Sequence, residues 1–83
     1  MTVADEIRKR LTEAFAPTAL EVVNESHKHA GHGGDDGSGE SHFAVRIRAK
    51  RLAALPRVAR HRAVHAALGD INSRVHALAL DVG

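Results

Sequence analysis

Seven histidines and no cysteine define the chemistry this 83-residue chain can offer. Neutral imidazole nitrogens bind metals and exchange protons near neutral pH. Thiolate ligation, disulfides and a cysteine nucleophile are excluded within the chain. Three histidines, His27, His29 and His32, open a stretch over residues 27–41 that reads HKHAGHGGDDGSGES and holds five glycines. Their H-x-H-x2-H spacing could take zinc with water in an open position, although it is not a standard zinc motif. A solvated histidine-rich loop is the plainer reading. Ser26, Ser41, Asp35 and Asp36 lie near these histidines, but a Ser/His/Asp set on a glycine-rich segment lacks a rigid scaffold and an oxyanion hole. No glycine-rich phosphate loop precedes a helix, so the expectation is a protein that is not an enzyme.

Charge is distributed unevenly. Residues 1–40 carry 4 basic and 8 acidic side chains, a net of −4; residues 41–83 carry 8 and 2, a net of +6. Arg46, Arg48, Lys50, Arg51, Arg57, Arg60 and Arg62 follow one another with no acidic residue between Glu40 and Asp70. Such a surface suits nucleic acid, a phosphate-bearing ligand or an acidic protein face, or is simply solvated. With Phe15 and Phe43 as the only aromatics, there is little to stack bases on.

The elements that must carry these groups are legible from periodicity. Ile7, Leu11, Ala14 and Phe15 recur at helical spacing, with Thr2 and Asp5 placed as a capping box and Pro17 as a stop, which predicts a helix over residues 3–15. Residues 20–25 alternate as a strand with Leu20 and Val22 inward. Residues 42–48 alternate more cleanly, with Phe43, Val45 and Ile47 inward and His42, Arg46 and Arg48 toward solvent. The two pair most simply as an antiparallel hairpin across the long, flexible-looking loop 27–41. Residues 52–56 suggest a short helical turn, and Pro56 opens a second helix with Val58, His61, His65 and Leu68 on one row and Val64 beside it. Gly69 ends that helix. Residues 75–82 read as a last strand with His76, Leu78, Leu80 and Val82 on one face. The expected architecture is α+β: a single two-layer domain over residues 1–83, with helices on one face of a three-stranded sheet. At 43% hydrophobic and 27% charged, with no apolar run of membrane-spanning length and no signal-peptide pattern at its start, the chain is expected to be cytoplasmic.

The stretches LEVVNESHKHAGH, ESHFAVRI, VARHRAVHAAL and VHALAL, in that order, resemble the BolA family. The resemblance implies an α-β-β-α-α-β fold similar to the type II KH domain. It implies a monothiol glutaredoxin as heterodimer partner, with a bridging [2Fe-2S] cluster shared with the glutaredoxin and glutathione. It also implies roles in iron–sulfur trafficking, iron sensing or, in some bacterial members, transcription control linked to stress and cell shape. By this resemblance His76, in Val75-His76-Ala77-Leu78, is a cluster ligand. The second ligand, three residues after Ser26, is His29, with His32 and His27 as neighbours able to substitute. The glutaredoxin cysteine and the glutathione thiol would supply the sulfurs. Histidine ligation would raise the cluster's potential and make it sensitive to acid.

Arg57, Arg60, His61 and Arg62 gather at the start of the second main helix, where a helix N-terminus and arginines can hold phosphate oxygens; the stretch ARHRAV among them resembles a family signature implicated in contacting both DNA and glutaredoxin. The turn before them, Ala54-Leu55-Pro56-Arg57, lacks the GxxG glycines with which KH domains clamp a nucleic-acid backbone. A DNA-binding regulator using this basic helix is the alternative reading. A glutaredoxin adaptor without a cluster is a third, and a homodimer is open when the chain is alone.

Overall fold

The computed structural model describes residues 2–26 and 41–83; the loop histidines His27, His29 and His32, and the expected flexibility of residues 27–41, lie outside them apart from Ser41. The order of elements is α1 (Val3–Phe15), β1 (Ala19–Asn24), β2 (His42–Arg48), α2 (Lys50–Ala53), α3 (Arg57–Leu68), α4 (Ile71–Arg74) and β3 (Ala77–Val82).

The capping box holds at the start of α1. The Thr2 hydroxyl accepts from the Asp5 amide at 3.1 Å, and the Asp5 carboxylate accepts from the Thr2 amide at 3.2 Å. The helix ends as Ala16 turns left-handed, with φ 45° and ψ 58°, ahead of Pro17. A side chain at that backbone position costs about 1–2 kcal/mol. Ala16→Gly is therefore expected to raise the unfolding free energy by about 0.5–1 kcal/mol after the glycine's extra unfolded-state entropy. Urea titration would show this as a higher midpoint, and a lower one would contradict it.

The sheet runs β1-β2-β3. β1 and β2 pair antiparallel, from Ala19 opposite Arg48 to Asn24 opposite Phe43. β2 and β3 pair parallel, from His42 beside Ala77 to Ile47 beside Val82. A parallel pair needs a crossover, and α2 and α3 supply it. On the inner face, Val22, Phe43, Val45 and Ile47 meet Ile7 and Leu11 of α1 and Val64 and Leu68 of α3; Leu52, Ile71 and Val75 close the ends. The outer face carries Glu21, Ala44, Arg46, Ala79 and Asp81, which line a shallow open cleft.

Four local expectations are corrected. Val58 is 63% exposed, and the buried row of α3 is Val64 and Leu68. Pro56 is the residue before α3 rather than its first. The turn α4 was not anticipated; it puts Ile71 and Val75 into the core, so β3 starts only at Ala77. His42 is buried, at 7% exposure, instead of facing solvent.

An ion-pair clamp fixes α1 against the α3–α4 turn. Arg74 binds Glu6 at 2.7 Å and Asp70 at 3.4 Å, and Arg10 binds Asp70 at 2.7 Å. The Arg74 hydrogen bond holds the Glu6 carboxyl below its ordinary range, and the Arg10 hydrogen bond does the same for Asp70. Groups with depressed folded values contribute stability above the unfolded carboxylate range, and lose it as pH falls through the folded values. Stability should therefore fall as pH drops below about 4. The Glu6→Gln, Asp70→Asn double variant should show a shallower fall in an acid titration followed by circular dichroism; an unchanged slope would contradict the clamp's role.

Candidate functional site

Ser26 and Ser41, which flank the 27–40 segment, meet the start of β3 at one point. Asn24 folds the chain back by accepting the Ser26 amide on its side-chain oxygen at 2.9 Å. The buried Ser26 hydroxyl then accepts the amides of Ser41 at 2.8 Å and His42 at 3.1 Å. The Ser41 carbonyl accepts the amides of His76 at 2.8 Å and Ala77 at 3.1 Å. Ser26, Ser41 and His76 thus form one continuous hydrogen-bonded junction.

Two imidazoles sit on it. His42 lies on the outer face of β2, with Nδ1 2.8 Å from the Ser41 hydroxyl. Its ring centroid is 5.2 Å from that of His76, with the planes at 47°. His76 occupies the bend before β3 and is exposed, so it does not share the inner face with Leu78 and Leu80 as the strand pattern suggested. No described residue hydrogen-bonds its ring. Among the described residues, no group of three or more metal-binding side chains exists. The described residues therefore offer a metal at His76 at most one further imidazole, that of His42, and a full ligand set would need the 27–40 segment or another molecule. His42 was missed as a site residue; the only signal in the sequence was its place in ESHFAVRI, next to a loop root.

The basic residues divide into different roles. Arg60 donates from Nε to the carbonyls of Leu52 at 3.0 Å and Leu55 at 2.8 Å, and from Nη2 to Ala53 at 3.3 Å. It caps the end of α2 and holds the α2–α3 turn. Arg60→Ala is expected to cost about 1–2 kcal/mol, the lower part of the range for charge-assisted bonds because the side chain is half-buried. Thermal unfolding without any ligand measures this, and an unchanged Tm would contradict the capping role. His61 donates from Nδ1 to the Arg57 carbonyl at 3.1 Å. Arg57, Arg60 and His61 line one side of a cleft of about 460 Å³, and Leu80, Asp81 and Val82 of β3 line the other. Arg62 is exposed and is not part of that lining. No helix among the described residues is long and apolar enough to cross a membrane.

Residues 11–82 match the family described as BolA-like protein. The chain belongs to the BolA family. A Sinorhizobium relative, an uncharacterized protein in the cobS 5' region, is 49% identical to this BolA protein over 83 residues, covering 98% of this chain and 89% of the relative. A Vibrio cholerae relative named as the DNA-binding transcriptional regulator BolA is 42% identical over 79 residues, covering 94% and 71%. Among solved structures, BolA1 from Arabidopsis thaliana superposes with a TM-score of 0.82 at 33% identity, covering 95% of this chain and 87% of that one. In this BolA protein the junction of Ser26, Ser41, His42 and His76 is drawn from three of the four segments that carried the resemblance, and the basic helix from the fourth.

Proposed function

We propose that this BolA protein is a non-enzymatic partner of a monothiol glutaredoxin that co-ligates a bridging [2Fe-2S] cluster through His76 and a histidine of the loop, preferably His29. The observation that supports this most is the junction. Ser26 and Ser41, the two roots of the loop, are tied to the His76 backbone. His29 follows Ser26 by three residues, and three residues of chain reach at most roughly 10 Å. The donor set fits the group: a chain without cysteine offers imidazole, and the exposed ring of His76 is hydrogen-bonded by no described residue. The cluster, when bound, supplies one-electron chemistry at a potential raised by nitrogen ligation. His76 presents the ring, His42 packs beside it, and Ser41 holds the His42 ring through Nδ1.

The test is co-expression with a monothiol glutaredoxin and absorption spectroscopy of the purified complex. Visible charge-transfer bands are expected for the wild type. They should be lost or altered in His76→Ala and in His29→Ala, with His32→Ala closer to wild type. A colourless heterodimer would favour the adaptor without a cluster; bands indifferent to both substitutions would refute ligation.

A second reading, DNA binding, is favoured by the basic cleft at Arg57 and by the name of the Vibrio cholerae relative. Its contacts would be mainly to phosphates, so affinity for duplex DNA should fall steeply between low and high salt and weaken for all sequences alike in Arg57→Ala.

A further inference from the structure

We propose that the free edge of β3 is a docking strand for an extended, acidic segment of a partner protein. β3 is the terminal strand of the sheet. The amides of Ala77 and Gly83 turn toward β2, donating to the carbonyls of Ser41 and Ile47 at 3.1 and 3.0 Å. Backbone groups alternate sides along a strand, so those of Leu78, Leu80 and Val82 point to the open edge. Natural edges are blunted by proline, lysine or a bulge. Ala77 to Val82 has no proline or lysine, and its register against β2 is unbroken. Its one charge, Asp81, is bound by Arg48 at 2.8 Å.

Charge selects the occupant. The edge at Leu80–Val82 forms one wall of the cleft whose other wall is Arg57, Arg60 and His61. Arg57 is exposed and has no ion pair among the described residues. A second copy of the chain would bring the same basic half, net +6 over residues 41–83, against itself. A nucleic-acid strand would pair with Arg57 but leave the alternating amides and carbonyls of the edge unmatched, and the cleft lining has no Phe, Tyr or Trp as a stacking platform. An acidic extended peptide answers both features: main-chain pairing along β3 and carboxylates over Arg57. The cleft lies at the opposite end of β3 from His76, so this proposal and the cluster reading can fail separately.

The experiment titrates the full, 15N-labelled chain with an acetylated heptapeptide of alternating glutamate and valine, up to millimolar concentration. Amide shifts are expected at Leu78, Leu80 and Val82. Arg57→Glu should weaken binding at least tenfold without changing the melting temperature. A fully N-methylated version of the peptide, with the same charge but no strand-pairing donors, should not bind. The proposal is overturned by absence of shifts along β3 at millimolar peptide, by equal binding of the methylated peptide, or by equal binding of a lysine–valine heptapeptide. A single-stranded oligonucleotide that perturbs these amides at lower concentration than the peptide also overturns it, in favour of nucleic acid.

Discussion

Phe43→Ala is expected to lower the unfolding free energy by about 3–5 kcal/mol, the usual cost of emptying an aromatic core site. Phe43 is 2% exposed and lies on the inner face of the central strand. It sits between Asn24 of β1 and Leu78 of β3 in register. A domain of this size has a total stability of roughly 4–12 kcal/mol, so the variant should be largely unfolded at moderate urea where the wild type is folded. Val58→Ala is the control: at 63% exposed, Val58 should change stability by no more than about 0.5 kcal/mol. Urea titrations of the pair decide between the observed α3 face and the one suggested by its apolar spacing. Equal losses would place Val58 in the core after all.

Ser26→Ala is expected to cost about 2–4 kcal/mol, since it removes a buried acceptor that two amides share. Those amides, of Ser41 and His42, have the Ser26 hydroxyl as acceptor. Ser41→Ala removes a single side-chain bond, to His42 Nδ1, and should cost about 1 kcal/mol. Hydrogen exchange adds a local readout: the Ser41 and His42 amides should exchange faster in Ser26→Ala than the loss of global stability alone requires. A loss below about 0.5 kcal/mol would mean that the loop roots are not held by this hydroxyl.

The legible parts of the fold were those governed by local rules. The α1 boundaries followed from Thr2, Asp5 and Pro17, and the inward set of β2 from a strict two-residue alternation. The α3 face was misread because alanines fill most of its rows, so apolar spacing could not separate Val58 from Val64. Only the packing of α1 and the sheet chooses between them. His42 was assigned to the correct side of β2. Its burial comes from non-neighbours, the loop root at Ser26 and the ring of His76, which no periodicity encodes. His76 was drawn onto one face with Leu78 and Leu80 because the strand was started at Val75; the α4 turn delays the strand to Ala77 and leaves the ring exposed. Arg60 read as a free cation, because a guanidinium that caps three carbonyls looks the same in sequence as one awaiting a phosphate.

The proposed cluster requires imidazole nitrogen from this chain to reach an iron site begun by a partner. The direct measurement is pulsed electron paramagnetic resonance of the reduced glutaredoxin complex, with only this chain labelled with 15N-histidine. The expected spectrum shows 15N hyperfine coupling from the labelled chain that is diminished in His76→Ala and again in His29→Ala. A spectrum from a reduced cluster that carries no 15N coupling, or one unchanged by either substitution, would contradict it.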